Sequence, residues 1–173
     1  IFRSSGMVHT RSMTRSIKSI IIHCAATPNG KWFQAGDIDA WHKARGFKRT
    51  EAFRTRQNGN LVAIGYHFVI LTNGAIATGR HWDEIGAHAQ GYNSKSLGVC
   101  LIGTDKFSPR QWQALKGNIN SLREQIMHLQ GDAEPPRVFG HRDLPGVAKD
   151  CPGFSVQDWL ANDMRPLPDH VLH

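Results

Sequence analysis

The chain has 173 residues, a formal net charge of +7 and 40% hydrophobic residues, enough for one cored domain and too few for two of ordinary size. Charged residues make up 20% and apolar residues are spread along the whole length, which excludes wholesale disorder. No apolar run approaches the roughly 20 residues a membrane-spanning helix needs, and three cysteines cannot all pair internally, so buried or metal-bound thiols are expected rather than disulfides.

Residues 1–15 contain Met7 and Met13 and no apolar segment of the secretory-signal type. They are set aside as a tag or disordered arm. Residues 16–23 (SIKSIIIH) are rich in β-branched side chains, which predicts a buried strand ending on a histidine. Residues 37–45 place Ile38, Trp41 and Ala44 or Arg45 at helical spacing, and Gly46 stops the pattern. Residues 47–63 are polar and basic with a turn signal at Asn58-Gly59, and read as a long loop or irregular hairpin. Residues 65–71 and 75–78 form two apolar strand segments joined by Thr72-Asn73-Gly74, a β-hairpin.

Residues 96–103 (SLGVCLIG) are almost continuously apolar, as in a central strand covered on both faces. Ser108, Pro109 and Gln111 then supply an N-cap, a first-turn proline and a capping-box partner. The helix they start carries Trp112, Leu115, Ile119, Leu122, Ile126 and Leu129 on one stripe and ends at Gly131. Residues 137–139 make one more short strand, and Ser155 caps a last short helix with Trp159 and Leu160. The alternation predicts an α/β fold: one domain over residues 16–164, with a central mixed β-sheet flanked by helices and a loose tail at 165–173.

Ten histidines and three cysteines offer many metal donors, yet no pair has zinc-finger or H-E-x-x-H spacing. A metal site must therefore be assembled from distant segments. His141 and Cys151 share the glycine- and proline-rich stretch GHRDLPGVAKDCPGF, and His23 at the first strand's end could join them, leaving a fourth position for water. The same three residues also suit a strand-end histidine, a loop histidine bonded to Asp143 and a small buried thiol. Tyr66 and His67 are strand neighbours and should point to opposite faces, while Cys24 and Cys100 read as core. The positive charge attracts polyanions, from nucleic acid to an anionic bacterial wall. Lys and Arg are scattered and no aromatic-basic nucleic-acid pattern occurs, so nucleic acid is not an expected partner. The basic stretch 48–63 is either a contact for the wall or a solvated insertion.

Six segments in order, IIHCAATP (21–28), GYHF (65–68), GAHAQGYN (86–93), SLGVCLIG (96–103), GHRD (140–143) and KDCPGF (149–154), carry a family resemblance. The chain resembles type 2 N-acetylmuramoyl-L-alanine amidases, most of all the small phage amidases historically called lysozymes, and more distantly animal peptidoglycan recognition proteins. The resemblance covers residues 20–160. It implies the amidase fold and cleavage of the amide between N-acetylmuramic acid and L-alanine in peptidoglycan. It also implies one Zn²⁺ per chain on His23, His141 and Cys151, with Tyr66 and Lys149 as catalytic residues. His88 and Asn93 match positions near the substrate cleft. The setting it implies is a monomeric phage or prophage lysis enzyme, held in the bacterial cytoplasm until the membrane is opened. A noncatalytic peptidoglycan-binding module is the competing reading.

Overall fold

A computed structural model describes residues 13–173. Five strands, β1 (Ser19–Cys24), β2 (Phe68–Ile70), β3 (Ile76–Thr78), β4 (Ser96–Leu101) and β5 (Arg137–Gly140), form one mixed sheet in the order β3-β2-β4-β1-β5. Only β3 runs antiparallel to its neighbour, as the hairpin signal at Asn73-Gly74 requires. β1 lies between two parallel partners, with Ile22 opposite Val99 on one side and Gly140 on the other. Its three consecutive isoleucines are fully buried, and every residue of β4 is buried too, because both strands are covered on both faces.

The described residues form four α-helices, α1 (Ala35–Ala44), α2 (Glu51–Arg56), α3 (Pro109–Gln130) and α4 (Val156–Ala161), of which α1, α3 and α4 pack on the sheet. On one face Ile20, Ile22, Leu97, Val99 and Leu101 pack with Trp112, Leu115, Ile119 and Ile126 of α3 and Trp159 of α4. Each such side chain contributes about 1.5–3 kcal/mol on burial, so this layer is the main core. The opposite face is thinner: Val69 and Cys100 meet Ala35 and Ile38 of α1, and Ile21 meets Ala89 and Leu144. The start of α3 is closed reciprocally by Ser108 and Gln111, and its end by Gly131 at φ 65°, as its residue types demand.

Four expectations need correction. The stretch 47–63 contains a helix, α2, that buries none of its residues and so shows no apolar stripe to read. Within the same stretch Arg49 is neither a wall contact nor solvated: its guanidinium is buried against Glu84 at 2.9–3.2 Å and bonds the carbonyls of Gln57, Asn58 and Leu61. The tail is not loose: Phe107 and Trp112 donate to the His170 carbonyl, and Leu172 donates to the Phe107 carbonyl. At the other end, residues 1–12 of the supposed arm lie outside the described residues. Thr14 and Arg15 belong to the fold, with Thr14 bonded to Asp83 and Arg15 to the carbonyls of Trp82, Asn93, Ser94 and Ser96.

Arg49→Ala takes the close guanidinium partner from the buried Glu84 carboxylate and leaves it Arg80 at 3.6 Å, and removing one partner of a buried pair costs about 3–5 kcal/mol, with the low end expected here. Urea denaturation monitored by tryptophan fluorescence is expected to show a loss of that size, with an unchanged slope.

Candidate metal centre

The centre lies at the carboxyl ends of β1 and β5, where ligands collect in sheets with parallel strands. His23 follows Ile22 on β1, and His141 opens a 3-10 turn (His141–Asp143) directly after β5. The Ile22–Gly140 register therefore delivers the two imidazoles side by side, with ring centroids 4.6 Å apart. Cys151 returns to them because the Arg142 amide donates to its carbonyl at 2.8 Å. Its sulfur accepts from the Cys24 amide at 3.2 Å and lies 3.8 Å from His23 Nδ1. One donor atom each from His23, His141 and Cys151 falls within 4.8 Å of the other two. Two imidazoles and a thiol are a donor set that suits a divalent transition-metal ion. Asp143 does not orient His141; its carboxylate caps the turn by accepting from the Gly140 amide.

Burial keeps these histidines ready to ligate. His23 is held well below its usual pKa by desolvation and then by the neighbouring His88 and His141, and His141 is lowered by desolvation and then by Lys149. Both are neutral near pH 7. The Cys151 thiol is pushed upward by its hydrogen bond with Cys24 and by burial, and the same contact draws Cys24 down to about 7. Cys24 is thus only partly the core residue expected, since it packs on the main core and also touches the ligand cysteine. Cys100 is fully buried, as expected.

A cavity of about 760 Å³ opens over the three donors, and Tyr66 and Lys149 both line it. The Tyr66 ring lies 5.1 Å from that of His23. Desolvation raises its phenol well above the usual range, so it is a protonated donor. Its position is set by the preceding residues: the Asp39 carboxylate accepts the amides of Val62, Ala63 and Ile64 at 2.7–3.1 Å, and the Gly65 amide donates to His42 Nδ1 at 2.9 Å. Lys149 is exposed at the cavity rim.

Tyr66 and His67 precede β2, which starts at Phe68, so strand alternation does not separate them. Hydrogen bonds do. The Gly98 amide donates to His67 Nδ1, which leaves the proton on Nε2 for the Glu84 carbonyl at 2.7 Å. His67 is fully buried and its pKa is lowered to about 3, chiefly by desolvation. His88 lines the cavity with its Nδ1 2.8 Å from His23 Nε2. The Asn93 side chain accepts the amides of His88 and Ala89, and so holds the loop that carries His88. Trp82 packs against the main core.

One residue that lines the cavity and one that braces the loop behind it escape a reading of the sequence. His42 lies on the buried side of α1, four residues after Ile38, and lines the cavity; that spacing was the available signal. Arg15 sits in the supposed arm and has no local pattern to mark it.

The model of the N-acetylmuramoyl-L-alanine amidase family matches residues 13–154. The chain belongs to this family. It is 32% identical over 147 residues to the endolysin of Enterobacteria phage K11, covering 80% of this chain and 82% of that protein. A peptidoglycan recognition protein of Bombyx mori is 30% identical over 175 residues, 94% of this chain and 75% of the relative. Among solved structures, bumblebee PGRP-SA superposes with a TM-score of 0.64 at 24% identity, over 92% of this chain and 86% of that one, which shows the shared fold. Among the described residues of this family member, no helix is long and apolar enough to cross a membrane.

The depressed pKa of His67 carries a sign. Between about 3 and the usual 6.5 the unfolded chain binds a proton that the folded chain refuses, so stability is complete above pH 6.5 and falls as pH drops. The expected slope is up to about 1.4 kcal/mol per pH unit from this residue. Urea titrations at about pH 7 and about pH 5, compared with His67→Gln, are expected to show a shallower pH dependence in the variant.

Proposed function

We propose that this protein is a zinc-dependent N-acetylmuramoyl-L-alanine amidase, hydrolysing the amide between the lactyl group of N-acetylmuramic acid and the L-alanine of the stem peptide. The observation that carries the reading is the convergence of His23, His141 and Cys151 at the base of a cavity whose walls include Tyr66 and Lys149. Two neutral imidazoles and one thiol form the donor set of a zinc site with an open position. A zinc ion held there supplies Lewis acidity toward the scissile carbonyl and lowers the pKa of water.

The rest of the chemistry falls to the chain's own side chains. Tyr66 keeps its phenolic proton and donates it as a hydrogen bond toward the oxygen that gains charge when the carbonyl is attacked. Lys149 places a positive charge at the exposed rim of the same cavity, where it favours the same oxyanion. The leaving amine of L-alanine must acquire a proton to depart, and both Tyr66 and Lys149 have one to deliver. His42 and Asp39 act earlier, by fixing the backbone on which Tyr66 stands. Peptidoglycan is the substrate, with a monomer as the working unit. In keeping with its phage relatives, the protein is an endolysin that stays in the host cytoplasm until the membrane opens and then attacks the wall.

Incubation with a defined muropeptide, read by mass spectrometry, is expected to release a peptide with a free L-alanine amino terminus. Chelation should abolish release and added zinc restore it. An intact muropeptide in the presence of a stoichiometrically bound zinc would mean a binding module instead. Tyr66→Phe is expected to lower kcat by about 10²–10³, with the zinc content unchanged.

A further inference from the structure

The ring of His88 has both nitrogens engaged, and the partners give the chain of contacts a direction. The Tyr92 carbonyl can only accept, so Ser96 Oγ, 2.8 Å away, donates its single proton there. Ser96 Oγ then has only lone pairs left for His88 Nε2 at 3.3 Å. The proton of that contact must come from His88, which leaves His88 Nδ1 bare. The 2.8 Å contact between His88 Nδ1 and His23 Nε2 can then be made only if His23 carries its proton on Nε2. Its Nδ1, the nitrogen that faces the Cys151 sulfur, is thereby left with a free lone pair.

The surroundings hold His88 to this pose. A Cβ on Gly98 would come within 2.6 Å of His88 Cγ, and one on Gly86 within 2.6 Å of its Cδ2. The two glycines open a slot the width of the ring. Asn93 fixes the backbone at its base, and Ser96 is completely buried. Neither ring nitrogen of His88 is left over for a sugar or a peptide, which argues against the substrate contact implied by resemblance.

We propose that His88 is a positioning residue for the metal centre, which locks His23 in its Nε2–H tautomer through a Tyr92–Ser96–His88 relay and so presents His23 Nδ1 to the ion. This rests on the zinc reading above. Partners of this kind, bonded to the far nitrogen of a ligand histidine, fix its tautomer and orientation, and their loss costs about 10–100-fold in metal affinity.

The test is zinc affinity of the purified protein, without substrate, by competition with a chromogenic chelator, alongside urea denaturation of the metal-free form. His88→Ala is expected to bind zinc about 10–100-fold more weakly. His88→Asn puts a carboxamide oxygen close to the place of Nδ1 and is expected to recover most of the loss. Ser96→Ala leaves the ring in its slot and removes only the hydroxyl that sets the direction. It is expected to weaken binding by about 10-fold, the low end of such effects, and it carries the test should His88→Ala not fold. Wild-type affinity in both His88→Ala and Ser96→Ala would overturn the proposal, as would a His88→Asn variant no better than alanine, since ring packing rather than an acceptor would then be at work. A wild-type protein that binds no zinc would sink the metal reading itself, an outcome distinct from equal binding by wild type and variants.

Discussion

The parallel pairing of β1 with β5 is the constraint on which the site depends. Backbone hydrogen bonds fix Ile22 beside Gly140, and a slip of one residue would turn every side chain of β1 to the other face. The register is secured by the isoleucines, because Ile20 and Ile22 must enter the core under α3 while Ile21 packs on the opposite side. His23 inherits its direction from that pattern. It leaves the sheet on the same side as Ile21, beside His141, so the geometry of the metal donors is a by-product of how an apolar strand is buried.

A second layer of order comes from charge. Asp39, Arg49, Arg80 and Glu84 are all buried, and the first three bond the backbone of residues 48, 57, 58 and 61–64 as well as that of Ile85. Arg80 also lies 3.6 Å from Glu84, joining the Arg49 pair. Long loops lack ladder bonds of their own, and buried amides and carbonyls must find partners somewhere. Here the partners are guanidinium and carboxylate groups at low dielectric, where such bonds are strong once satisfied. The wall of the cavity that carries Tyr66 is stiff for this reason, although it contains little regular structure.

What could be read from the sequence divides along the same line. Apolar periodicity is a local signal, and it revealed β1, β4, the hairpin and α3 with its caps close to their observed bounds. His23, His141 and Cys151 could be put forward because their motifs are local as well, and the fold brings them together. The remainder depends on partners far away in the chain. Arg49 finds Glu84, Arg15 reaches the residues around Trp82 and Ser96, and His170 closes on Phe107 and Trp112. Nothing in a window of ten residues distinguishes such an arginine from a solvated one. α2 was invisible for a related reason, since a helix that buries nothing leaves no stripe. His88 shows the limit of motif reading: its place near the cleft could be inferred, but the partners of its two nitrogens could not.

The position of β1 also bears on how the chain is made. Among the described strands it comes first in the chain, yet both of its neighbours, β4 and β5, come much later. Until β4 emerges, Ile20, Ile21 and Ile22 have no sheet to join, and the nascent chain carries an unpaired, β-prone segment while the 71 residues between Cys24 and Ser96 are made. Contacts this distant in sequence close slowly, and exposed strands of this kind attract chaperones and one another. The arrangement that gathers the donors at one edge of the sheet therefore makes the yield of folded protein sensitive to the pace of translation and to what shields the first strand meanwhile.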